Sequence, residues 1–278
     1  MKPQNPLVFL GRVLASVRRD ELVGRAAEIA FFMLFAVFPS LLVLVSLLGF
    51  FDLSQQTQRL AVLMETALPP EVAGPLLEEM ARLTTRSTHG GLALGLGLAL
   101  YAAYRAVAST VRGVNAAWSV RESRAWYLVL GRVVLLTFAS VGGTVSLLLL
   151  LSLEDAVVAW MVGHGGLSER MAVWVLWLRW PMVIFLLHSL IALLYRSAAE
   201  YRRVSGLVTW GSAVAVLGLV LVTLGFRAYV GRVVDLGATY GSLGTVIGLA
   251  LYFYFVAVAV LVGAEVDYHA THWRKRQD

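Results

Sequence analysis

Six long apolar runs, separated by polar and basic segments, organise the chain; they lie at about 26–51, 90–110, 127–151, 172–195, 206–226 and 241–264. At ~1.5 Å rise per residue, each is long enough to cross the ~30 Å hydrocarbon core of a bilayer as one helix. The last is the plainest, because nothing from Gly241 to Ala264 is charged. Its entry carries Gly237, Gly241, Gly244 and Gly248, with Gly-x-x-x-Gly spacing at 237/241 and 244/248. Missing side chains on one face let a second helix approach closely, which predicts a packing seam there. Its exit places Glu265 and Asp267 at the membrane boundary. The pattern predicts an all-α, polytopic membrane protein with six transmembrane helices, in a single membrane domain over residues 1–278.

Two further segments are predicted to be helical without crossing. Residues 6–19 set Leu7, Leu10, Leu14 and Val17 on one face and Arg12, Arg18 and Arg19 elsewhere, as in a short interfacial helix on an anionic leaflet. Residues 52–89 form a long polar connection with two short extracytoplasmic helices. The second of these starts at Pro69-Pro70-Glu71, where proline and acid both suit a helix N-terminus. Residues 1–25 are basic and patchily apolar and show no signal-peptide pattern.

Composition narrows the class. Hydrophobic residues make up 59% and charged residues 14%, against about 25% charged in soluble domains. A large soluble domain is therefore not expected. Cysteine is absent, which excludes a disulfide framework, a thiolate nucleophile and cysteine metal ligation. The net charge of +6 and a pI near 9.8 could point to nucleic acid, but the distribution of the charges gives another reason for them. With the N-terminus inside, fourteen of the 23 lysines and arginines fall in inner segments, six in outer ones and three within spans. The positive-inside rule then places both termini in the cytoplasm. Acids divide almost evenly, eight inside and nine outside, so the basic pI is a topology signal and nucleic acid is not an expected partner.

The segments RAAEIAFFMLFAVFPSLLVLVSLLGFF (Arg25 to Phe51), RAVASTVRGVNAAW (Arg105 to Trp118), YGSLGTVIGLALYFYF and LVGAEVDY occur in an order that resembles the YihY/virulence-factor BrkB family of bacterial inner-membrane proteins. The resemblance covers nearly the whole chain. It departs at Phe253, where the family commonly has tryptophan, and at Ala36, often serine there. It implies a multi-pass protein of the bacterial inner membrane, with six helices and cytoplasmic termini, and no settled activity. Some members carry an old ribonuclease label, and others are linked to serum resistance or to envelope lipid export.

Several charged residues stand inside or at the edges of the runs. Arg179, in LWLRWPMV, lies seven residues into its span, where a cation needs protein, water or an anionic headgroup. It either binds such a group or snorkels into a belt of Trp174, Trp177 and Trp180. Arg105 and Arg132 lie near inner ends of spans, as helix anchors or as lining of a cavity. With Glu28 and Glu265 they could form a cytoplasmic-side gate or anion site. Pro39 and Pro181 are candidate helix interruptions. His188, among leucines, reads as a hydrogen-bonded packing residue rather than a proton relay.

Glu265, Asp267, His269 and His272 resemble a metal-ligand list without a second cluster, so a solvated basic tail is the better reading. Neither metal nor cofactor is expected, and no hydrolase motif appears. The endings YRAVA (Tyr104 to Ala108) and FRAYV (Phe226 to Val230) could mark an inverted repeat; chance similarity between Leu/Ala/Gly-rich helices is the plainer account. The expected function is a transporter or lipid translocator for an anionic lipid or small anionic metabolite. It would not be an enzyme, and its partners would be membrane lipids and further copies of itself. The alternative is a non-transporting scaffold for envelope assembly; a membrane ribonuclease lacks a recognisable site.

Overall fold

A computed structural model describes residues 6–50, 74, 77–78, 89–120, 122–152, 169–196, 209–232 and 242–274. Among the described residues the chain is helical and contains no strand. Seven helices follow in order: α1 (Pro6–Arg19), α2 (Leu22–Phe50), α3 (His89–Ala117), α4 (Trp126–Ser152), α5 (Glu169–Arg196), α6 (Trp210–Arg232) and α7 (Ser242–Arg274). Five of them carry stretches long and apolar enough to cross a membrane: Ala93–Ala117, Trp126–Leu147, Trp177–Arg196, Trp210–Ala228 and Val246–Thr271. The first expected span corresponds to α2. The connection at 52–89 lies outside the described residues but for a few positions.

Several helices outrun the apolar runs that predict them. α7 has 33 residues, about 50 Å at 1.5 Å per residue, well beyond the hydrocarbon thickness. Its polar C-terminal turns stay helical because backbone hydrogen bonding does not need lipid around it. Both prolines lie inside continuous helices, Pro39 in α2 and Pro181 in α5. Each removes one backbone donor without splitting its helix.

The helices form a closed ring in the order α2, α3, α4, α5, α6, α7 and back to α2, with α7 also touching α3 and α1. Size is sorted the opposite way from a soluble core. The interior is built from small residues such as Ala26, Ala102, Ala117, Ala215, Ala257 and Ala264, all buried, while Leu94, Leu135, Phe185 and Leu221 point outward. In lipid, apolar bulk gains nothing by burial, whereas small residues let backbones close up and gain dispersion.

The packing glycines are Gly211, Gly218 and Gly263. A Cβ on Gly263 would lie 2.5 Å from the Gly211 carbonyl oxygen, and one on Gly218 would lie 2.9 Å from Ala259 Cβ. These close approaches lie on glycines other than the predicted ones; further along, Phe226 of α6 packs with Leu249, next to Gly248. Of the predicted glycines, Gly244 and Gly248 are buried on α7, and Gly237 and Gly241 lie outside the described residues.

One end of the bundle gathers α1, the start of α2, the ends of α3, α5 and α7, and the start of α6. α1 turns Val13 and Ser16 inward, with Val17 packed against the core. Leu14, one of the residues expected to face a leaflet, is exposed. Ser16 Oγ meets His269 Nε2 at 2.9 Å, so the N- and C-terminal helices come together at this end. Glu21 (φ 51°) links α1 to α2 and Ser119 (φ 51°) closes α3, both in the left-handed region. At Ser119 the bonds Ser119 N–H to Ala116 C=O and Val120 N–H to Asn115 C=O make a Schellman cap with serine where glycine is usual.

Candidate functional site

Helices α2 and α3 pack antiparallel and bring four polar side chains into one ladder. On α3, Arg105, Ser109 and Arg112 follow one another at spacings of four and three, which keeps them on one face. On α2, Glu28 and Phe32 are one turn apart. Arg105 lies over the Phe32 ring, its Cζ 4.6 Å from the centroid. One turn on, the Ser109 hydroxyl donates to Glu28 Oε1 at 2.9 Å and Arg112 Nη2 donates to the same oxygen at 2.5 Å. Arg112 also reaches Ser109 Oγ at 2.8 Å. The charges acting on Glu28 are Arg112 and Arg105.

Two guanidiniums against one carboxylate leave a net positive charge on this face. Arg105 Nε is buried and makes no hydrogen bond within the protein, while Glu28 and Arg112 are open, with side chains 40% and 48% exposed. A guanidinium fork suits phosphate or carboxylate oxygens, and water exclusion strengthens such a bond.

A second polar network ties α5, α6 and α7 together. Thr209 precedes α6 and its hydroxyl donates to Asp267 Oδ2 at 2.7 Å, while the Gly211 amide donates to Asp267 Oδ1 at 2.6 Å. The Ser212 amide donates to Thr209 Oγ1, and Ser212 Oγ meets His188 Nε2 at 3.2 Å. A carboxylate from another helix thus caps the positive N-terminus of α6. His188 is bonded across the α5–α6 seam, as its packing reading expects. Beside this network Tyr195, fully buried, donates its hydroxyl to the Val260 carbonyl.

The structure distributes the expected site residues unevenly. Glu28 and Arg105 share the α2–α3 face, where Arg105 acts on Glu28 through charge without a direct bond. Arg112 and Ser109, not singled out from the sequence, complete their site. The signal was available in the i, i+4, i+7 spacing of 105, 109 and 112. Glu265 lies apart, fully buried at the α1–α2 corner, where the charged groups facing it are Asp20 and Arg19, with His269 Nε2 at 3.8 Å. Arg132 is half-buried on α4, next to Val133, which packs into the α3–α4 seam with Leu136, Val107 and Val111.

Arg179 lies 5.2 Å from the Trp180 ring, flanked by Trp177 at 67% and Trp180 at 50% exposure. It is sixteen residues before Tyr195 on the same helix, about 24 Å along the axis. Arg179 therefore stands towards the other end of the bundle. Among the described residues no group of three His, Asp or Glu side chains could hold a metal ion.

Comparison with known proteins agrees with this architecture. The chain is 28% identical over 271 residues to YfkH of Bacillus subtilis (strain 168), whose name likens it to a ribonuclease; the match covers 96% of each chain. It is 24% identical to a UPF0761 membrane protein of Chromobacterium violaceum, covering 95% of this chain and 61% of that one. It is also 22% identical to a UPF0761 membrane protein of Vibrio vulnificus (strain YJ016), over 100% of this chain and 88% of the other. No solved structure matches. The profile of the family described as virulence factor BrkB matches residues 13–278, and the chain belongs to that family.

Proposed function

We propose that this membrane protein is a transporter or lipid translocator, and that the α2–α3 ladder holds an anionic headgroup or small anionic metabolite. The observation that carries the reading is the placing of Arg105 and Arg112 on one face of a membrane-spanning helix with, among the described residues, the single acid Glu28 opposed to them. A cation in a span is costly unless it serves protein, water or an anion. Arg105 has its guanidinium over Phe32 and a buried Nε without a protein acceptor, so a phosphate or carboxylate oxygen supplies what the fold leaves out. The open Glu28–Arg112 pair forms the mouth, where the arriving anion competes with a carboxylate already in place.

The orientation that fits is cytoplasmic termini, since the chain's basic residues concentrate on that side. The ladder then opens towards the inner leaflet of the bacterial inner membrane.

The test is native mass spectrometry of the protein released from mild detergent, comparing wild type with Arg105→Gln. Anionic phospholipid retained by wild type and lost by the variant is the expected result; identical lipid in both overturns the site. Vesicles containing the protein and a fluorescent anionic lipid then separate movement from mere binding. Faster exchange between leaflets supports translocation, whereas binding without exchange favours the scaffold. Cleavage of RNA by the same preparation would overturn both readings.

A further inference from the structure

Glu265 is fully buried, and neither of its carboxyl oxygens accepts a hydrogen bond from a donor of the protein. An ionised carboxylate in that position is strongly disfavoured, because nothing replaces the water it has lost. The charged groups that face it are the Asp20 carboxyl in the α1–α2 turn and the Arg19 guanidinium. Two carboxyls can bond only if one supplies a hydrogen. Asp20 is not hidden: it lines an open pocket of about 320 Å³ with Arg19, Glu21, Arg25, Ser119 and Val120. A path therefore runs from solvent to Asp20 and from Asp20 to Glu265.

We infer that Asp20 and Glu265 form a one-proton binding site that fastens the α1–α2 corner to α7. The site has a mouth (the pocket), an outer carboxyl and an inner carboxyl, and its ligand is a proton rather than a metal cation. Arg19 decides between the two, since its guanidinium grips both Asp20 oxygens, at 3.0 and 2.9 Å, and acts on Glu265 as well. A fixed positive charge at that place repels a metal ion; it also works against the proton on Glu265, which burial of the carboxyl outweighs.

Among the described residues near the pair, Tyr268 of α7 faces Arg19, and other groups have partners of their own. From α2, Arg25 Nε donates to the Asp20 carbonyl. From α7, His269 Nε2 is 3.8 Å from Glu265 Oε2 and is engaged by Ser16 at 2.9 Å. Asp267, two residues on, turns instead to the start of α6. With the proton present, the carboxyls attract through one O–H···O bond. With it gone, two negative charges face each other across the α1–α7 contact. The inference is independent of the transport reading, since it concerns what holds the corner and not what the ladder carries.

Infrared spectroscopy of the full chain in lipid tests it, through the carbonyl band of a protonated carboxylic acid. Wild type at neutral pH shows such a band, and Glu265→Gln abolishes it. Asp20→Asn also abolishes it while Glu265 is still present, because the new amide donates to Glu265 and removes the like charge. A wild type without the band, or a band unchanged in Glu265→Gln, overturns the site. A band that persists in Asp20→Asn overturns the sharing.

Discussion

Asp267 of α7 caps the first turn of α6, its Oδ1 accepting the Gly211 amide at 2.6 Å. The contact joins two helices that also meet through Gly211 and Gly263, so the acid is a fastener placed where the backbones are closest.

Asp267→Ala should destabilise the bundle by about 2–3 kcal/mol, since it leaves buried donors at Gly211 and Thr209 without their acceptor. Asp267→Asn should cost less, because one acceptor oxygen remains. Denaturant titration of the detergent-solubilised protein, followed by helicity, measures both. Equal stability of all three proteins would show that the cap contributes nothing.

Gly263→Ala should be costly despite adding one methyl group. The new Cβ would meet Gly211 O and Tyr195 Oη at 2.5 Å, and overpacking of this kind costs about 1–3 kcal/mol. Gly131→Ala on α4 meets nothing within 4 Å and should be neutral, or stabilising by about 0.5–1 kcal/mol through helix propensity. Thermal melting of the two variants side by side gives the contrast.

Glu28→Gln and Arg105→Gln should move anion retention in opposite directions. The first removes the carboxylate that competes for Arg112 and should increase the anionic lipid carried through purification; the second should reduce it. Because Glu28 and Arg112 are both open, losing their ion pair should change stability by only about 0.2–1 kcal/mol. Lipid extraction with quantification, together with a melting curve, tests both halves.

The helical class and most spans were legible because hydropathy reports the solvent of a segment directly. Glu28 and Arg105 were legible as charges near the same end of neighbouring helices. Arg112 falls just past the run at 90–110, although α3 continues as helix to Ala117 and keeps it on the face of Arg105. The glycine seam was harder to read. Spacing identifies a smooth face but not the helix that meets it, and Gly211, Gly218 and Gly263 stand on two different helices. Asp267 looked like part of an acidic exit because its partner, the start of α6, is more than fifty residues away in the chain.

Arg179→Gln should leave lipid retention at the ladder unchanged, since the residue lies towards the opposite end and stacks on Trp180. Trp177 and Trp180 are exposed enough that their fluorescence should be quenched by brominated lipid in wild type and variant alike. Loss of anionic lipid in Arg179→Gln would instead assign it to the binding path.

α7 touches α1, α2, α3 and α6, and among the described helices it is made after all the others. The helices that pack on it therefore wait in the membrane without that contact until residues 242–274 have been made. A nascent chain stopped before Ser242 would already hold α2 against α3 but would leave α6 without its main partner, exposed to quality-control proteases.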